Sequence, residues 1–225
     1  MVLLLFALQR RDRLMIAKLR VRVMSIEIPF SAPCERNKDD IFDVISPYLT
    51  QVGAVLEIGT GTAQHAVHFA YKLPSIDWQT SDQASYLGGI RAQLDNAKLS
   101  NIRYPLTLDV NQKRWVESGE RFSAVYTANT FHIMDWQSVQ AFFSRLPSVC
   151  LNGAYLIVYG PFKYQGEFTS ESNRHFDETL RNSDWGSGIV DYEKIAELAQ
   201  AVNFRLVKDV SMPANNQCLI FQCTH

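Results

Sequence analysis

The chain has 225 residues, 47% of them apolar, with 22 Lys and Arg against 23 Asp and Glu and a formal charge of −1. That length suits one domain, or one domain with appendages. The composition excludes a disordered chain and a generally basic surface built to track nucleic acid.

Charge is unevenly spread: six of the basic residues and one acid fall in positions 1–24, so the remainder carries −6. The opening VLLLFAL is too short to span a bilayer and lacks the basic lead-in and cleavage site of a secretory signal. Two readings fit residues 1–24. One is an amphipathic basic helix that touches a membrane or a partner. The other is an extension from an upstream start, with Met24 the natural first residue, because recognisable organisation begins near Ser25. Residues 25–225 then read as a single domain. Cys34, Cys150, Cys218 and Cys223 are scattered, with no histidine at metal spacing, which predicts reduced thiols in a cytoplasmic protein and no metal site. Cys218 and Cys223 stand an odd number of positions apart, so on one strand they would face opposite sides.

In chain order, NKDDIFDVISPYL (37–49) places Ile41, Val44, Ile45 and Tyr48 on one helical face. GAVLEI (53–58) is a short apolar run fit for a buried parallel strand. A helix over 62–73, a strand over 76–82 and a helix over 85–99 follow. Strands are predicted at 104–110 and 122–129, a helix at 136–150 and a strand at 153–161. Such alternation predicts a parallel sheet covered on both faces. After a helix at 191–202, the runs 204–212 and 217–224 are separated only by PANN, so they must pair antiparallel. The expected architecture is a three-layer α/β sandwich with a seven-stranded, mostly parallel sheet ending in an antiparallel hairpin. That is the layout of the S-adenosylmethionine-dependent methyltransferase fold.

The turn after the first strand reads EIGTGTAQ (57–64). A dinucleotide fingerprint wants a third glycine at the position of Gln64, which weakens an NAD-linked reading. What stands instead is Glu57-x-Gly59-x-Gly61, which resembles motif I of class I methyltransferases. The glycines let backbone approach a ligand closely. A carboxylate at Glu57 suits the sulfonium cation of S-adenosyl-L-methionine and would repel a pyrophosphate. Asp82, with Gln83 beside it, ends the second strand about 20 residues on, where a carboxylate can accept both ribose hydroxyls. By the same resemblance, Asp109 and the backbone of Val110 would meet the adenine; alternatively Asp109 caps a following helix. Asn129, Thr130 and His132, after the fourth strand, resemble the N-x-x-H of class I enzymes, which implies that they line the methionine end, with His132 a candidate base.

Four stretches carry a narrower resemblance: SAPCERNKDDI (31–41), ANTFHI (128–133), the long segment 159–186 and MPANNQ (212–217). Together they resemble the methyltransferase-like family catalogued as domain of unknown function 938, over about residues 28–224. The family's S-P-A-A-[DE]-R-N opening becomes SAPCERN here, and its W-G-[IL]-R-D becomes Trp185-Gly186-Ser187-Gly188-Ile189-Val190-Asp191, with Val190 in the arginine's place. The resemblance implies an S-adenosylmethionine-dependent methyltransferase with an unidentified, small-molecule acceptor. It sets Arg36 at the cofactor carboxylate, with Asn37 as a helix cap the plainer alternative, and makes Tyr159 a second candidate base. A non-catalytic cofactor-binding or partner-binding protein of the same fold fits the same residues. Nucleic acid is a poor acceptor for a body of this charge. The segment of about 160–190 is expected to be a lid or substrate insertion, or a helical excursion that packs Phe176 and Leu180 on the sheet.

Overall fold

A computed structural model of the chain describes residues 28–51, 53–182 and 186–224. The expected extension over 1–24, and Trp185, lie outside them. Helix α1 (Ala32–Leu49) begins earlier than its apolar stripe. Ser31 is extended, its Oγ accepts the Cys34 N–H at 3.4 Å, and Pro33 sits in the first turn, where a missing N–H breaks no helical bond. Asn37 therefore does not cap this helix; Arg36 and Asn37 ride within it. The expected boundary was late because the first turn carries no apolar stripe, only the Ser-x-Pro start signal.

The chain continues through β1 (Ala54–Glu57), α2 (Gln64–Lys72), β2 (Asp77–Asp82), α3 (Leu87–Ala97) and β3 (Ile102–Thr107). Then come β4 (Phe122–Ala128), α4 (Trp136–Arg145) and β5 (Cys150–Gly160). A small hairpin, β6 (Lys163–Tyr164) and β7 (Glu167–Phe168), leads to α5 (Glu171–Arg181) and α6 (Tyr192–Ala201). The chain ends with β8 (Phe204–Met212) and β9 (Asn216–Cys223). The seven-stranded sheet has the order β3-β2-β1-β4-β5-β9-β8, and β9 pairs antiparallel with both neighbours. The other six strands run one way, as the two-strand finish requires.

Pleating sends alternate side chains into two cores. Leu56, Val125, Leu156 and Phe221 belong to one, and Val55, Tyr126, Ile157 and Ile220 to the other. Cys223 and Cys218 fall one in each, as their odd spacing predicts. From β1 the order runs outward through β2 and β3, then reverses through β4 and β5. That reversal leaves a crevice at the carboxyl ends of β1 and β4, the place where open α/β sheets take ligands. Above it lies α5, capped by Ser170 Oγ, which accepts the Asn173 N–H at 3.1 Å. Phe176 is not on the sheet: it is 40% exposed, and its ring meets the His132 ring edge-on at 5.4 Å over the crevice.

Candidate functional site

The turn after β1 is shaped by three consecutive demands for left-handed backbone. Gly59 has φ +75°, and a Cβ there would stand 2.5 Å from Thr130 Cγ2. Thr130 cannot give way easily, because its hydroxyl bonds Thr127 Oγ1 at 2.6 Å, which donates in turn to the Ile58 carbonyl at 2.8 Å. Gly61 has φ +60° and faces open space, and its N–H donates to Asp82 Oδ2 at 2.7 Å. Ala63 is also left-handed, at φ +61°. Gln64, standing where a dinucleotide fingerprint has glycine, ties the turn to α1. Its Oε1 accepts from the Ser31 N–H at 2.5 Å and from Thr62 Oγ1 at 3.0 Å, while Nε2 donates to Glu35 at 3.0 Å.

A cleft of about 1080 Å³ opens at this edge and brings Glu57, Asp82 and Asp109 together. Gly59, Gly61, Gln83 and Val110 line it as well, as do Asn129, Thr130 and His132. Glu57 is buried, accepts the Trp78 indole N–H at 2.9 Å, and has its pKa pushed up to about 8 by burial. Burial therefore favours its protonated form at neutral pH. Asp82 accepts the N–H of Gly61 on one oxygen and that of Gln83, at 2.7 Å, on the other; burial raises its pKa against those two bonds. Asp109 Oδ1 accepts the Asn111 N–H at 2.9 Å. It closes a local turn rather than capping a helix, since no helix follows among the described residues before α4.

Two expected residues stand off the cleft. Arg36 is exposed on the outer side of α1 and is absent from the lining. Tyr159 is buried among the core side chains under α1, beside Asn37 and Asn216, which do line the cleft. Burial raises its pKa. His132 lines the cleft with its pKa pushed down to about 4 by burial, so it is neutral across the physiological range. Val190 packs against the core and its carbonyl accepts the Lys163 N–H at 3.0 Å.

Sequence reasoning missed His65. His65 is buried, with Nε2 2.7 Å from Asn37 Oδ1 and Nδ1 3.2 Å from the Tyr126 hydroxyl, and burial pushes its pKa down to about 4. A histidine in the first turn of the helix directly after the glycine turn was the available signal. Asn173 on α5 donates to Thr169 Oγ1 and to the Asn215 carbonyl, both at 2.9 Å, joining the roof to the β8–β9 turn. Among the described residues no Lys or Arg lines the cleft, and no cluster of metal-ligating side chains occurs.

Solved structures share this fold. An O-methyltransferase family protein from Burkholderia thailandensis superposes with a TM-score of 0.74 at 14% identity, over 85% of this chain and 57% of that one. The mitomycin 7-O-methyltransferase MmcR matches at 0.71 and 14%, over 84% and 54%. Human N-acetylserotonin methyltransferase, solved in complex with SAM, matches at 0.66 and 10%, over 84% and 55%. The chain thus spans little more than half the length of these proteins. Among described residues no helix is long and apolar enough to cross a membrane. The model of the family described as protein of unknown function (DUF938) matches residues 28–223, nearly the whole chain, and the chain belongs to that family.

Proposed function

We propose that the protein is an S-adenosylmethionine-dependent methyltransferase acting on a small-molecule acceptor. The observation that carries this reading is the convergence of Glu57, Asp82 and Asp109 on one cleft beside an open glycine, with no cationic side chain among the described lining residues. A pyrophosphate-bearing cofactor would meet carboxylates and no counter-charge there. A ligand with a ribose, an adenine and a positive sulfur suits the set. Asp82 keeps a free lone pair on each oxygen and would hold the ribose hydroxyls, Asp109 and the Val110 backbone would meet the adenine, and Asn129 and Thr130 would meet the amino-acid end. The bound cofactor supplies an electrophilic methyl group on a sulfonium sulfur.

The protein's own part is alignment and exclusion of water. Gly61 leaves room for close approach, α5 covers the cleft, and Tyr159 backs the rim residues Asn37 and Asn216 from below. Neutral His132 can receive a proton from the acceptor, and its low pKa places the acid limb of a rate profile near pH 4 rather than 6.5.

Calorimetry of the full chain with S-adenosylhomocysteine and with NADH tests the cofactor. Uptake of the first and not the second is expected; the opposite result ends the reading. Transfer of label from methyl-labelled cofactor into a metabolite extract then distinguishes an enzyme from a binding protein of the same fold.

A further inference from the structure

The cleft has a second compartment beyond the glycine turn, and its chemistry limits what can enter. One wall is the loop after β4, with His132 and Ile133. The roof is α5, with Asn173, Phe176 and Leu180, and the far side is the β8–β9 turn, with Asn216. Ile133 is 56% exposed and Phe176 40% exposed, so apolar surface faces the space uncovered. The frame is built: Asn173 is 6% exposed and doubly bonded, Asn215 Nδ2 donates to Ser172 at 3.1 Å, and the Gly188 N–H donates to the His132 carbonyl at 3.0 Å.

Among the described residues, the Lys and Arg side chains on α5, the hairpin and the start of α6 each stand near an acid. Arg181 Nε lies 2.6 Å from Asp177, and Arg174 pairs with Glu171 while its guanidinium stacks over Phe168 at 4.9 Å. Lys163 and Lys194 each stand 3.9 Å from Asp191. What charge the cleft does contain is acidic: Asp82, Asp109 and Asp135 line it, and Asp135 is committed to the N-terminus of α4 through the Ser138 N–H at 2.6 Å.

We infer that this compartment selects an uncharged, flat, largely apolar acceptor carrying one O–H or N–H, and rejects carboxylates and phosphates. Its assignment to the acceptor rests on the methyltransferase reading. An anion entering would lose its hydration without gaining a counter-charge and would meet carboxylates instead. A neutral ring covers Phe176 and Ile133 and keeps its one polar hydrogen for His132 or an asparagine. In the transfer, a lone pair on that oxygen or nitrogen forms the bond to the methyl carbon. The carbon–sulfur pair returns to sulfur, and the displaced proton leaves to the imidazole or to water.

The test uses a series with one ring system and changing charge: 1-naphthol, 1-naphthoate and 1-naphthyl phosphate, titrated by fluorescence into the full chain with and without S-adenosylhomocysteine. Naphthol is expected to bind, with both anions weaker by roughly tenfold or more. Ile133→Lys, at an exposed rim position, is expected to narrow or reverse that gap. Equal or tighter binding of an anion, no binding of naphthol, or an unchanged ratio in Ile133→Lys overturns the inference. Failure of S-adenosylhomocysteine to bind while the naphthalene order holds overturns the methyltransferase reading and leaves the charge selection standing.

Discussion

Gly59 and Gly61 occupy the same turn for different reasons, and substitution should separate them. At Gly59 an added Cβ meets both an unfavourable φ and Thr130 Cγ2 at 2.5 Å. Backbone strain of about 1–2 kcal/mol then adds to an overlap that Thr130, bonded on its polar side, cannot relieve. At Gly61 the strain is similar but the space is empty. Gly59→Ala should therefore lower the urea midpoint markedly. Gly61→Ala should cost no more than about 1–2 kcal/mol of stability and chiefly weaken S-adenosylhomocysteine binding. Equal loss of stability in the two variants would show that the contact with Thr130 is not what demands glycine at position 59. The glycines and the three acids were legible in the sequence because backbone conformation and strand-end position are local properties. Arg36 and Tyr159 were not, because one helical rotation or one step of strand register moves a side chain off a cleft. Arg36 lies outside by the first, Tyr159 beneath by the second.

At the level of elements, the strands and the antiparallel finish followed from apolar runs and from the short final connection. The roof was harder to read. Phe176 and Leu180, four apart on α5, form the kind of stripe that usually packs on a sheet, and periodicity cannot say whether such a stripe covers a core or a cavity. What fixes α5 is polar: Asn173 ties it to the distant Asn215 carbonyl, and Asp177 ties it to the segment that follows. Asp177 is 5% exposed; one carboxylate oxygen accepts the Ile189 N–H at 2.6 Å and the other meets Arg181 at 2.6 Å. Asp177→Ala would leave a buried backbone donor unpaired, a loss of about 1–3 kcal/mol. Because this contact joins α5 only to the segment that follows it, hydrogen exchange should accelerate over residues 171–191 and stay unchanged in β1, β4 and β5. Uniform acceleration through the sheet would mean that the roof and the sheet open as one unit.

For the molecule as a whole, enclosing ionisable groups in one cleft ties folding stability to pH in two opposed directions. The unfolded chain releases the Glu57 proton near 4.5, whereas the folded chain holds it to about 8. Between those values the native state binds more protons, so stability falls as pH rises, and Asp82, also raised, acts in the same sense. His65 and His132 do the reverse. They protonate near 6.5 when unfolded but resist to about 4 when folded, so the unfolded chain binds more protons and stability rises with pH across that interval. His68, lowered by burial, joins them. Above 6.5 the histidines contribute no further slope and Glu57 alone continues to about 8, which places the stability maximum near pH 6.5. Urea midpoints measured from pH 4.5 to 8.5 should trace that maximum, and Glu57→Gln should remove most of the decline on its alkaline side. A decline that persists in this variant would assign it to another group. A cation beside Glu57 favours the ionised carboxylate, so saturating S-adenosylmethionine should also flatten the alkaline decline. S-adenosylhomocysteine, which lacks the sulfonium charge, should leave it largely in place, and equal flattening by both ligands would separate Glu57 from the sulfur.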